Sequence, residues 1–234
     1  MNILIIGGLH GDETLGIEVI KLLRNKPIKS VTGIFGNPSA ITTNTRYCDQ
    51  DLNRVFPGKT NGSLEEMRAT QIMSFGENFD IILDFHNTTA INNNCSFVGS
   101  KGKEILFDVS SFLGLNDVVI ADYPCINEYL PNCISIEVSY SSSLCDPKYW
   151  YDLIQKLVTK LTTNLSTDII PKATVNKHRM IGKISQKPNY ELKNWQLLPD
   201  ELKQEIGLNG EIYSLFVGEK AYTDRYCSLV QKIK

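Results

Sequence analysis

Two of the three histidines in this 234-residue chain stand where an apolar strand-like run ends. His10 lies in Gly7-Gly8-Leu9-His10-Gly11-Asp12-Glu13, directly after Ile3 to Ile6, and Glu13 follows it by three residues. A His and a Glu so spaced, at the turn from a strand into a helix, can point at one centre. His86 follows Ile81-Ile82-Leu83-Asp84-Phe85 and reaches the same kind of position from a second strand. In parallel-sheet proteins ligands bind in the crevice beyond the carboxyl ends of the strands. His10, Glu13 and His86 with an open fourth position form a recognised ligand set for a catalytic zinc ion. Zn2+ held there would polarise a carbonyl and bring the pKa of its bound water down towards about 7. Such chemistry needs a group to move protons. In Ile134-Ser135-Ile136-Glu137-Val138, strand alternation turns the apolar side chains to one face and Glu137 to the other, where it can act as general base and then general acid.

The elements that must position these groups follow from periodicity. Ile3 to Ile6, ending in glycines, has the pattern of a strand buried on both faces. Ile17, Val19, Ile20, Leu22 and Leu23 predict a helix over about 12–24, stopped by Pro27. Val31 to Phe35 predicts a second strand. Residues 39–63 are polar, turn-rich and irregular, too long a stretch for a compact domain to keep without a function. Ser63-Leu64-Glu65-Glu66 opens a helix to about Phe75. Strands are predicted at 81–85, 96–98, 118–121 and 133–138, with helices at 103–113 and 146–165. This alternation predicts an α/β sheet with parallel portions. After Pro171 short β-prone pieces (180–184, 211–217) sit between turns. The expected organisation is a catalytic unit over 1–168 and a small β-rich C-terminal domain over 172–234.

Hydrophobic residues make up 42% and charged ones 21%, which excludes a disordered chain. Acidic residues exceed basic ones by two, so no electrostatic footprint for nucleic acid or an anionic membrane surface exists. No apolar run is long enough for a membrane span, and the N-terminus lacks a basic leader, so a cytoplasmic location is expected. The six cysteines form no C-x-x-C pair and read as buried free thiols, a disulfide among Cys95, Cys125, Cys133 and Cys145 staying open. His178, between Lys177 and Arg179, reads as a solvated basic turn.

Further motifs make the pattern specific. Thr45-Arg46-Tyr47-Cys48-Asp49-Gln50-Asp51-Leu52-Asn53-Arg54-Val55-Phe56 in the long loop, Asp84-Phe85-His86-Asn87-Thr88-Thr89, and the Glu137 strand occur in this order. Together with the His10 turn they resemble the aspartoacylase and succinylglutamate desuccinylase family, a branch of the zinc carboxypeptidase superfamily. Leu215-Phe216-Val217-Gly218-Glu219-Lys220-Ala221-Tyr222 is similar to that family's C-terminal tyrosine segment. The resemblance implies a three-layer mixed α/β sheet of zinc-carboxypeptidase type followed by a small β-rich domain. It also implies hydrolysis of an N-acyl amino acid, a small-molecule substrate, with a homo-oligomer left open. Arg46 resembles the family arginine that shares the oxyanion with the metal, Asn53 and Arg54 the clamp for the substrate carboxylate, and Tyr222 a hydroxyl donor to that carboxylate. Asp84, two residues before His86 on the same strand face, reads equally as a support for His86 or as a buried strand-end carboxylate satisfied by backbone, and Asp51 as holding the Arg54 loop in shape. Two alternatives stand beside this reading: a carboxypeptidase on short peptides, and a non-catalytic carboxylate-binding protein.

One departure bears on the substrate. Family members acting on N-acetylaspartate carry an arginine shortly before the base-bearing strand, whereas here no arginine occurs between Arg68 and Arg179. The corresponding segment carries Asp122 and Glu128, which would repel a dicarboxylate unless they face away.

Overall fold

The computed structural model describes residues 1–163 and 174–233. Among these residues nine strands form one sheet: β1 (Ile3–Gly7), β2 (Val31–Phe35), β3 (Ile81–Thr88), β4 (Cys95–Gly99), β5 (Asp117–Ala121), β6 (Cys133–Ser139), β7 (Asn176–Ile184), β8 (Ile212–Leu215) and β9 (Cys227–Ile233), in the order β2-β1-β3-β6-β4-β5-β7-β9-β8. The pairs β1–β2, β1–β3, β3–β6, β4–β5 and β5–β7 are parallel, whereas β4–β6, β7–β9 and β8–β9 are antiparallel. The helices are α1 (Leu15–Asn25), α2 (Pro38–Thr43), α3 (Leu64–Gly76), α4 (Ile105–Phe112), α5 (Ile126–Tyr129), α6 (Pro147–Thr163) and α7 (Asp200–Glu205).

Alternation along β1, β3 and β6 builds a layer on each side of the sheet. Ile3, Ile5, Leu83, Phe85, Ile134 and Ile136 face α1, α4 and α6, with Trp150 fully buried against Phe85. Leu4, Ile6, Ile82 and Cys133 face α3 and the Leu52–Arg54 turn. This is the expected three-layer mixed α/β arrangement. Helix α3 starts as its sequence predicts: Ser63 accepts the Glu66 N–H and the Glu66 carboxylate accepts the Ser63 N–H, a reciprocal cap.

Chain order decides where the crevice opens. From β1 the chain passes through α1 to β2 on one side, and β3 returns on the other side of β1. The connections leaving the carboxyl ends of β1 and β3 therefore diverge to opposite sides, and the gap between them is the topological switch point.

Several expectations are corrected. Part of the 39–63 stretch is helical, since Asn37 caps Ala40 and Pro38 occupies the first turn of α2. Helix α5, helix α7 and strand β9 went unpredicted; α5 and α7 are too short to show a periodicity. His178 is not in a solvated turn. It lies in β7, buried, with its ring packed on Trp195 and Tyr213 and Nε2 3.1 Å from Asp117 Oδ1. Pairing of β7 with β5 turns His178 inward and leaves Arg179 exposed. The C-terminal strands are hydrogen-bonded into the same sheet through β7, and the boundary expected between 168 and 172 lies outside the described residues, as does the expected end of the 146–165 helix. All six cysteines are free; four are buried, Cys145 is half-buried and Cys48 is exposed. No helix among the described residues is long and apolar enough to cross a membrane.

Candidate active site

His10 and Glu13 leave the end of β1 in a turn that only glycine permits. Gly8 has φ +72°, and a Cβ on Gly11 would lie 2.1 Å from the Ala40 carbonyl carbon. The close approach lets the Gly11 N–H donate to Arg46 O at 3.2 Å, which ties the turn to the long loop. On the neighbouring strands the register places Asp84 beside Ser135 and His86 beside Glu137. The face that carries Ile82 and Cys133 in the apolar layer becomes polar at these rows, at the mouth of the crevice.

One nitrogen from each of His10 and His86 and one Glu13 oxygen lie within 4.8 Å of one another. Glu13 bridges the two rings, with Oε1 2.7 Å from His10 Nδ1 and Oε2 2.9 Å from His86 Nδ1. The far nitrogen of each ring meets its own carboxylate: His10 Nε2 lies 3.0 Å from Asp51 Oδ1, and His86 Nε2 lies 2.7 Å from Asp84 Oδ2. A carboxylate that accepts from the far ring nitrogen fixes the tautomer and aims the lone pair of the near one, the usual support of a metal-ligating histidine. The donor set therefore fits a divalent ion of zinc type. Asp84 is itself held by the Ser135 hydroxyl at 2.8 Å. Asp51 does more than shape its loop: besides His10 it accepts from the Asn53 N–H at 2.9 Å and from Arg46 at 3.3 Å.

The electrostatics favour positive charge at this centre. Burial opposes a charge on His10, but the Glu13 and Asp51 carboxylates raise its pKa; for His86, Asp84 and Glu13 raise it well above the ordinary value against the same burial. Burial would raise Glu13, and the two rings instead hold it well below the usual carboxylate range. Glu137 behaves oppositely. Burial pushes its carboxyl up to about 7, with the charges on His86 and His10 opposing the rise and Glu13 adding to it. Among the described residues no side chain or N–H donates to the Glu137 carboxylate, which lines the same cavity as His10, Glu13 and His86.

The long loop contributes the cations. Arg46 spans Glu13 Oε1 and Asp51 Oδ2, at 3.3 Å each. Arg54 donates to Tyr222 Oη at 3.3 Å, which leaves the tyrosine's own proton to donate elsewhere. Asn53 is buried and its amide oxygen accepts the Ile126 N–H at 3.0 Å, so the polar end it keeps for the cavity is its NH2. The structure thus brings His10, Glu13, His86, Glu137, Arg46, Asn53, Arg54 and Tyr222 to one cavity.

Two buried carboxylates that hold this arrangement had no role assigned from sequence. Glu219 accepts from the Thr88 and Thr89 hydroxyls and from the N–H groups of Thr89, Ala90 and Ala221, which clamps the Tyr222 segment to the end of β3. Glu65, at 1% exposure, accepts from the N–H groups of Cys48, Asp49 and Gln50 and from the Asn37 amide. The visible signal for Glu65 was an acid on a helix start that needed no second one, Glu66 already closing the cap. Burial would raise the Glu65 pKa, and these donors outweigh it and lower the value. The anchoring is therefore complete above the ordinary carboxylate pKa of about 4.3 and is lost as pH falls through the lower folded value. Glu65→Ala leaves the buried Asn37 amide and the three N–H groups of residues 48–50 without their shared acceptor and should cost about 1–3 kcal/mol in denaturant unfolding at pH 7. The gap to wild type should shrink below about pH 4.

A model of the succinylglutamate desuccinylase/aspartoacylase catalytic domain matches residues 1–131. The chain belongs to this family. Among its relatives, a probable aspartoacylase of Nostoc is 32% identical over 139 residues, covering 52% of this chain and 47% of that protein. An N-acyl-aromatic-L-amino acid amidohydrolase of Xenopus tropicalis is 30% identical over 141 residues, 53% of this chain and 45% of the relative. The matched region thus spans about half the length of these curated relatives. The fold extends further. The succinylglutamate desuccinylase of Chromobacterium violaceum superposes over 100% of this chain and 85% of its own with a TM-score of 0.75 at 18% identity. Murine aminoacylase 3 superposes over 100% and 95% with a TM-score of 0.71 at 17% identity.

Proposed function

We propose that this protein is a zinc-dependent amidohydrolase that releases the acyl group from an N-acyl amino acid, with residues 1–168 as the catalytic unit and 172–234 completing the pocket. The observation that carries this reading is a single cavity in which two histidines, each braced by its own carboxylate, face a shared Glu13 while Glu137 stands unpaired. A protein that only binds carboxylates has no use for that unpaired acid. Family membership supports the same reaction class, and the Xenopus relative is by name an N-acyl-aromatic-L-amino acid amidohydrolase.

His10, Glu13 and His86 would hold Zn2+, which supplies Lewis acidity towards the substrate carbonyl and acidifies water. The protein's own groups do the rest. Glu137 accepts a proton from the attacking water as its oxygen bonds to the carbonyl carbon, and returns that proton to the nitrogen as the C–N bond breaks. Arg46 donates to the oxygen on which negative charge develops. The Arg54 guanidinium, the Asn53 NH2 and the Tyr222 hydroxyl bind the carboxylate of the amino acid, a planar anion suited to a forked donor. The Glu219 clamp keeps Tyr222 over the site.

The test is a panel of N-acetyl and N-succinyl amino acids beside dipeptides, assayed with zinc-loaded protein. The expected result is about one zinc per chain and hydrolysis of N-acyl amino acids in preference to dipeptides, removed by a chelator and restored by zinc. Tight carboxylate binding by calorimetry with no amide hydrolysed would overturn the reading.

A further inference from the structure

The cavity at the metal-ligand set has a volume of about 40 Å³, room for a few water-sized groups. It can receive the scissile amide and the adjoining carboxylate, and little more. A second cavity of about 280 Å³ adjoins it, and the two share Arg54, Tyr123, Phe216 and Tyr222 as walls. The remaining walls of this annex include Pro124 and Met180 on the apolar side and Arg225, from the segment just before β9, on the other. Among the described residues no acidic one lines it.

Resting on the function proposed above, we infer that the annex receives the part of the substrate remote from the scissile amide, and that Arg225 selects there for an anionic group carried on an apolar arm. The aromatic and thioether walls suit the arm. Arg225 is held rather than free: its guanidinium lies 4.3 Å from the Tyr222 ring centroid, Nε donates to Asp224 at 3.1 Å and a terminal nitrogen reaches Ser228 Oγ at 3.4 Å. Asp224 does not cancel it, because the same carboxylate also pairs with Lys183, so Lys183, Asp224 and Arg225 together keep one net positive charge. Arg54, on the wall shared with the first cavity, is taken by the amino acid's own carboxylate, so Arg225 is the cation left for a second anion.

The acids expected to repel a second carboxylate face away. Glu128 accepts from the Ser100 N–H and hydroxyl, and neither it nor Asp122 lines either cavity. The absence of an arginine between Arg68 and Arg179 therefore does not leave the distal pocket without a cation; Arg225 supplies one from the segment between β8 and β9.

The anionic group can belong to the amino-acid side chain or to the acyl chain, and paired substrates separate the two. N-acetylglutamate against N-acetylglutamine tests the side chain; an N-succinyl amino acid against its succinamyl isostere tests the acyl chain. With zinc-loaded holoenzyme, at least one anionic member is preferred, and Arg225→Gln raises its KM about 10- to 100-fold more than that of its neutral partner. Arg225→Lys restores part of the preference, and matching thermal unfolding of the variants excludes loss of fold as the cause. The inference is overturned if both neutral members are preferred, or if Arg225→Gln weakens both members of each pair equally, as lost packing on Tyr222 would. If no amide is cleaved at all, the function reading fails by itself. The same pairs titrated calorimetrically against wild type and Arg225→Gln still decide whether Arg225 selects the anion.

Discussion

Glu137→Gln is expected to keep its zinc and lose hydrolysis, with turnover falling about 10²- to 10⁴-fold, the usual contribution of a positioned proton carrier. The substitution is nearly isosteric and removes only the ability to accept a proton. His10, Glu13 and His86 draw their support from Asp51, Asp84 and each other, not from Glu137, so metal content should hold. The pH profile sharpens the test. Burial pushes the Glu137 carboxyl up to about 7, and a cation at the neighbouring centre pulls it back down. Because the base must be ionised, kcat/KM in the wild type should fall as pH drops through a value between about 4.3 and 7. That acid limb should be missing from the residual activity of Glu137→Gln. Zinc bound at the wild-type ratio with undiminished turnover would exclude Glu137 as the base.

The second large effect is expected at Arg46. Arg46→Ala should cost about 3–4 kcal/mol of transition-state stabilisation, read as a 10²- to 10³-fold loss concentrated in kcat. The geometry explains why kcat and not KM should respond. Arg46 is already oriented by Glu13 and Asp51, at 3.3 Å from each, so its donors are in place before charge develops on the substrate oxygen. Arg46→Lys should rescue little, since an ammonium cannot span two carboxylates and still present a forked donor. Metal analysis separates this from a structural effect, because Arg46 also separates two carboxylates that flank His10. A variant that retains zinc and loses only affinity would place Arg46 in ground-state binding.

The legible parts of this protein were those whose signal is local. Apolar runs marked β1, β3 and β6, and alternation within residues 134–138 already turned Glu137 away from the apolar face. Glycines around His10 announced a turn, and the Ser63 to Glu66 spacing announced a helix start that the structure shows with both cap bonds in place. The burial of His178 was not legible, because a histidine between two basic residues looks solvated until β7 is known to join β5. Nor was the clamp made by Glu219, whose partners Thr88 and Thr89 lie about 130 residues away.

By itself, then, the sequence supplied the candidates: the residues proposed as ligands, base and cations, and the strands that carry them. The tertiary structure alone decided the pairings: Asp51 with His10, Asp84 with His86, Glu65 with the 48–50 backbone, and Arg225 with the annex beyond Tyr222. Strand and helix signals repeat every few residues and can be read within one window. A carboxylate's partner depends instead on which distant segments the sheet order brings together, and that order is set by packing two apolar layers around a switch point between β1 and β3.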